Sequence, residues 1–421
     1  MSRPLDLGLS RDLWLVQVGT FLNALGWGAV LPFEIVYLHD GRGFSLGTAG
    51  LIVGTVTGVA VVAAPLTGPL IDRFGARIAV AGAGLALGAG YAGLAFAQTE
   101  AVAFGAALVA GVGNGALLPA QSTLLTGLAP RELRHRATAV SRVCTNAGFG
   151  LGGGLGGLVG AYGLSGLMAL FVLNAATYVA YVLVLLLVVR EAPPPERVAG
   201  GYTQVLRDRP FVRLAATNAV LIAVGWGVSS WILPLYARNE IRADSKLIGL
   251  LLLANAMTVV GVQVPIARVA EGRRRVVMMA TGGVIFAAAY LLVLAAGSMD
   301  GAAYSALLVA AIAIGVGECF HTAVLMPLVA DLAPPSLRGR YMAAMGLSWW
   351  TGLALGPVLG TQLLKISSTL TFGATAAAAA AAAVSMLALE PRLPEAARLT
   401  PRPEPTSPIA APALIAEARS G

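Results

Sequence analysis

The chain has 421 residues, 57% of them hydrophobic and only 11% charged, with a mean hydropathy of +0.80. A soluble domain carries about a quarter charged residues, so this composition excludes an ordinary water-soluble fold. The net charge of +8 raises nucleic acid as a partner, but the arginines sit in short loops between apolar runs, with no basic stripe interleaved with aromatics, and that partner is set aside.

Apolar spans are predicted near 12–38, 45–71, 77–97, 101–129, 136–161, 164–189, 211–237, 246–268, 275–297, 301–331, 339–364 and 368–389. At 1.5 Å per residue such runs cross a hydrocarbon core of about 30 Å as helices. The helix is also the natural spanning structure where no water is present to satisfy the backbone. The short connections make consecutive helices antiparallel. The first span, beginning near Leu13, has no small-residue cleavage site and is expected to be retained. Residues 190–210, with Pro193, Pro194 and Pro195, read as a linker between halves. Residues 391–421 hold seven prolines in 31 positions and are expected to be disordered. The organisation expected is therefore a six-helix half over 1–189, a linker over 190–210, a second half over 211–390 and a tail over 391–421. The alanine run 376–383 marks the last helix as a packing element.

Lys and Arg set the orientation. The N-terminus, the loops at 72–77, 131–142, 268–275 and 338–340, the linker and the tail together hold 23 of them. The other side holds five, Arg42, Arg238, Arg242, Lys246 and Lys365. This asymmetry places both termini and the linker in the cytoplasm of a multi-pass plasma-membrane protein. Cys144 and Cys319 lie inside spans without disulfide or metal-ligand spacing, so neither a metal nor a cofactor is expected.

The two halves repeat. With a shift of 204 residues, 16 of the 46 positions from 111 to 156 are identical, including Leu128-Ala129-Pro130 against Leu332-Ala333-Pro334 and Arg134 and Arg136 against Arg338 and Arg340. A shift of 199 pairs Gly26-Trp27-Gly28 with Gly225-Trp226-Gly227. Six spans separate the copies, so they share one orientation, and parallel repeats of this kind place a solute site between halves near mid-membrane.

After the second span comes Gly68-Pro69-Leu70-Ile71-Asp72-Arg73-Phe74-Gly75-Ala76-Arg77. Gly68 permits close helix approach and Gly75 a sharp turn. Asp72 offers charge-assisted acceptors, and Arg73 and Arg77 supply donors. This stretch resembles the GxxxDRxGRR signature of the major facilitator superfamily, with Ala76 where a second basic residue is usual, and the second half carries a degraded copy at 268–275. The resemblance covers 12–390 and implies twelve transmembrane helices in two pseudo-symmetric six-helix bundles, an all-α membrane fold working by alternating access. It also implies a gating role for Gly68, Asp72, Arg73, Gly75 and Arg77. Gly148, Gly152, Gly153, Gly156 and Gly157 resemble the family's antiporter motif with its proline replaced by Gly153, and Gly352, Gly356, Pro357 and Gly360 keep the proline. The same glycines serve equally as a helix-packing face. The arginine usual in the family's fourth helix is missing here.

Ionisable groups inside a span are costly unless paired or hydrated, and so are functional candidates. Glu318 lies near the middle of helix ten, with His321 one turn later on the same face, and suits a group that loads and unloads a proton. Glu34 shares a stripe of helix one with Asn23 and Trp27. Trp226 is the repeat partner of Trp27, and Asn114 that of Glu318. The substrate-binding residues expected are Asn23, Trp27, Asn114 and Trp226, and the proton-coupling residues Glu318, His321 and Glu34. The chain is expected to act as a monomer in the lipid bilayer on a small solute and protons. Efflux of lipophilic or drug-like compounds fits the glycine motif, and sugar or metabolite transport is the alternative. The sequence holds no HExxH, nucleophile elbow or phosphate-binding GxxxxGK[ST], which speaks against an enzyme or an ATP-driven pump. A sensor on the same fold stays as a minor reading.

Overall fold

The computed structural model describes residues 9–130, 133–189, 203–334 and 337–400; within them the side chains of Asp72, Arg134, His135, Arg136, Ala139, Asp300, Arg338 and Ala396 are not described. Among the described residues twelve long helices follow one another: α1 Arg11–Gly41, α2 Leu46–Phe74, α3 Ala76–Phe96, α4 Glu100–Leu128, α5 Arg134–Gly160 and α6 Leu164–Leu187 form the first half. The second is α7 Arg209–Asn239, α8 Ser245–Ala270, α9 Arg275–Ala296, α10 Ala303–Leu332, α11 Arg338–Leu364 and α12 Ser368–Leu387. Eleven are long and apolar enough to cross a membrane. The other, α5, is 27 residues long, about 40 Å, and its hydropathy is diluted by arginines at its start and glycines along its length.

Local chemistry sets where helices begin. Ser10, Ser45, Thr99, Asp208, Asp244 and Ser367 each stand just before an apolar run and accept a backbone N–H of the first turn, satisfying donors that the helix leaves open. Gly75 turns α2 into α3 at φ 84°, a conformation that side chains resist, while its N–H bonds Ile71 O at 2.8 Å.

The repeat is structural as well. Leu133 N–H donates to Pro130 O and Leu337 N–H to Pro334 O, both at 2.9 Å, so the turns entering α5 and α11 match bond for bond. Both first helices, α1 and α7, also widen to π-helical winding, over Tyr37–Gly41 and Ala223–Ile232, which re-aims side chains along them.

Two boundaries differ from expectation. Thr203–Arg207 is already a helical turn and α7 opens at Arg209; the remainder of the expected linker, 190–202, lies outside the described residues. The segment 391–400, expected to be disordered, is docked because it finds partners. Glu390 pairs with Arg274, Gly272 N–H donates to Thr400 O at 2.8 Å, and Thr400 N–H to Arg273 O at 3.0 Å, with Leu393 and Ala397 buried. Residues 401–421 lie outside the description.

The halves meet along only part of their length. Gly47, Gly50, Gly54 and Gly58 on α2 face Lys365, Thr361, Val358 and Ala354 on α11, and Gly150, Gly153, Gly157 and Gly160 on α5 face Ala256, Leu252, Gly249 and Ser245 on α8. All these contacts lie toward the end remote from the basic loops. Toward the basic end, Gly68 on α2, Gly261 on α8 and Gly346 on α11 have open space where a Cβ would stand. The two bundles therefore diverge toward the basic end, like a V closed at the other.

Candidate functional site

Near the apex of the V, α7, α8 and α10 of the second half and α5 of the first enclose a recess of about 90 Å³. Such a volume is well below the ~300–1,000 Å³ of a drug-sized pocket, so the recess is a niche in the wall of the cleft. Its apolar wall comes from Phe149, Leu251, Leu252 and Ile314, and Trp226 supplies a ring face. Its polar groups are Asn146, Ser229, Ser230, Asn255 and Glu318.

Glu318 is the one ionisable residue of this lining. It is 6% exposed, and Asn255 on α8 donates to its Oε1 at 3.1 Å. The second Asn255 N–H goes to Ala311 O at 3.3 Å, so both N–H groups of the amide are used. Among the described residues, Oε2 of Glu318 has no hydrogen-bond partner.

The expected Glu318–His321 alignment on one face does not form a pair. A spacing of three turns a helix by about 300°, and that residual 60° sends the two side chains to different neighbours. His321 reaches α7, where Nε2 lies 2.8 Å from Asn218 Oδ1. Asn218 Nδ2 donates to Ser348 Oγ at 2.6 Å, and Ser348 Oγ donates to Met345 O at 2.7 Å. That direction fixes Asn218 Oδ1 as an acceptor and His321 Nε2 as a donor. His321 thus ties α10 to α7 and α11 and lies outside the recess.

The repeat-related tryptophans sit on the two sides of the central region. Trp27 packs edge-on to Phe149 with centroids 5.5 Å apart, and Trp226 lies 5.0 Å from Trp349 and 5.8 Å from His321. Asn23 is buried at 6% exposure within the first half, without a hydrogen-bond partner among the described residues. Asn114 is half-buried on α4. Neither lines the recess. Glu34 stands apart, bonded to Tyr91 and Trp231.

In the GxxxDRxGRR-like stretch, Gly75 makes the turn, Arg73 lies over the Phe74 ring at 5.2 Å, and Arg77 donates to Val189 O at 2.8 Å. Gly68 is uncontacted, and the Asp72 side chain lies outside the description. The two glycine motifs do packing work. Gly148, Gly152 and Gly156 lie against α1, and Gly352, Gly356 and Gly360 against α7, each within its own half. Asn255, Phe149 and Ser229 were not among the expected site residues. An asparagine inside the leucine-rich run of α8 was the available signal for the first of them.

A family model described as Major Facilitator Superfamily matches residues 17–223 and 215–420. The multidrug resistance protein MdtH of Aeromonas hydrophila is 25% identical over 357 residues, covering 82% of this chain and 85% of that protein. The uncharacterized MFS-type transporter YqjV of Bacillus subtilis is 24% identical over 360 residues, with 82% and 85% covered. Among solved structures, the peptide transporter POT in complex with sulfate superposes with a TM-score of 0.76 at 17% identity, covering 93% of this chain and 96% of that one. A D-xylose-proton symporter gives 0.74 at 14% identity, covering 91% and 98%. At such identities the two structures speak for the fold.

Proposed function

This chain belongs to the major facilitator superfamily and is a multi-pass secondary transporter, and on that premise we propose that it exports lipophilic, drug-like compounds in exchange for protons. The observation that carries this reading is Glu318: a single buried carboxylate on the wall of an otherwise apolar and aromatic niche, where the two halves meet. A charge there is costly in a low-dielectric setting, so a proton and a substrate compete for the same small space, as exchange requires. MdtH's name, at 25% identity, points the same way. Sugar or metabolite transport is the second reading, supported by Asn146, Ser229 and Asn255 on the same wall.

The basic end is assigned to the cytoplasm on the excess of Lys and Arg there, so the V is open inward. Glu318 is the proton-loading group. Trp226, with Trp27 across the centre, offers flat apolar surface to the substrate, and Asn23 and Asn114 are left to later stages of the cycle. His321 supports α10 through its bond to Asn218. The segment from Gly68 to Arg77 closes the cytoplasmic side when the halves rock. The test is uptake of a fluorescent lipophilic dye into inside-out vesicles, acidic inside, against sugars and dipeptides as alternative solutes. Dye accumulation that collapses when the pH gradient is dissipated supports exchange. Accumulation of a sugar and not the dye would move the assignment to the second reading.

A further inference from the structure

Glu34 on α1 is a buried carboxylate outside the recess, 4% exposed, with both oxygens engaged. Tyr91 on α3, in the same half, donates its hydroxyl to Oε1 at 3.0 Å. Trp231 on α7, in the other half, donates its indole N–H to Oε2 at 2.8 Å. The indole is 2% exposed and belongs to the π-helical stretch Ala223–Ile232. This stretch carries two tryptophans with different tasks. Trp226 turns to the recess, whereas Trp231, five residues on, turns to α1. Farther along the same two helices, Arg238 donates to Asp40 at 2.8 Å, with both side chains about one-third exposed. The buried bond and the exposed ion pair both cross from one half to the other at the closed end of the V.

We propose that Trp231 is a positioning residue of the transport cycle, the latch that holds the halves together at the end remote from the basic loops by donating to Glu34. The inference rests on the alternating-access reading above. Tyr91 travels with Glu34 as a rigid part of the first half, so its bond survives any rocking of the halves. The Trp231 bond does not survive, because α1 and α7 part when that end opens. Of the two donors to one carboxylate, one is permanent and one reports the state of the gate. A hydrogen bond to a buried carboxylate is stronger than one between neutral groups, and burial keeps water from replacing it until the halves separate. The exposed Asp40–Arg238 pair, screened by solvent, contributes less.

The experiment is a distance measurement between spin labels at Gln98 and Ser298, exposed positions at this end of each half, in a transport-active background in which Cys144 and Cys319 are replaced by alanine. Trp231→Phe keeps an aromatic ring, though a smaller one, and removes the N–H. It is expected to raise the ratio of long to short distances about tenfold, the effect of losing one charge-assisted bond. Tyr91→Phe removes the bond of nearly equal length within one half and is expected to leave the ratio unchanged. Glu34→Leu removes the acceptor and should match Trp231→Phe, and combining the two should add nothing. It also serves as the test if Trp231→Phe fails to insert. An unmoved ratio in Trp231→Phe and Glu34→Leu, or an equal shift in Tyr91→Phe, overturns the latch. A parent protein showing one distance under every condition, with and without a pH gradient, overturns the alternating-access reading itself.

Discussion

Asn255 on α8 and Glu318 on α10 are joined at 3.1 Å, and the same amide also holds Ala311 O on α10. The bond fixes where the Glu318 carboxylate points while leaving one oxygen without a partner among the described residues. Asn255→Leu should therefore loosen the carboxylate without removing it. The expected outcome is a shifted pH dependence of transport with near-normal protein level in the membrane. An unchanged pH profile would mean that Asn255 only packs.

His321 invites a different test, because its partners form a directed chain from Nε2–H through Asn218 to Ser348. Asn218→Leu strips that chain of its central amide and leaves the buried His321 Nε2–H without its acceptor, at a cost of about 1–3 kcal/mol. The thermal midpoint in detergent should fall while the pH profile of residual transport stays where it was. A displaced pH profile with normal stability would return His321 to the proton path.

Backbones approach closely across the halves where α5 meets α8 at the closed end. A Cβ on Gly157 would stand 2.7 Å from Ser245 O and 2.9 Å from the Cα of Gly249, with backbone on both sides and no flexible side chain to yield. Gly157→Leu should therefore wedge α5 from α8, abolish transport, and raise the share of long distances between spin labels at Gln98 and Ser298. Full transport by this variant would show that the closed end does not need to close as observed here.

The stretch from Gly68 to Arg77 is uncontacted at Gly68 in this open-V state, in keeping with a gate that engages only when the basic end shuts. Asp72→Asn removes the charge and keeps the shape. Transport should drop by about tenfold or more, the scale of one lost charge-assisted contact, with the protein still folded and inserted. Normal transport would reduce the stretch to a turn held by Gly75.

Much of the architecture was legible because lipid enforces it. Long apolar runs between capping residues, the gapless repeat and the glycine turn at Gly75 all appear in the structure as the residues imply. The site was harder to read, for identifiable reasons. Glu318 and His321 share a helix, yet a 60° offset hands them to different neighbours. Trp231 meets Glu34 across 197 residues of sequence, and the π-helical winding of α7 alters the face that a 3.6-residue period assigns it. Proline-rich 391–400 gains order from partners on another loop, Arg273 and Arg274, which local composition does not reveal.

The most direct test of the central claim is Glu318→Gln in sealed vesicles, comparing gradient-driven accumulation with substrate exchange in the absence of a gradient. The glutamine keeps size and an oxygen acceptor for Asn255 but carries no proton. Accumulation driven by the pH gradient should vanish, while exchange and substrate binding persist, because only the coupled step needs a titratable group. If Glu318→Gln still concentrates substrate against a gradient, Glu318 is not the coupling residue and the account built on it fails.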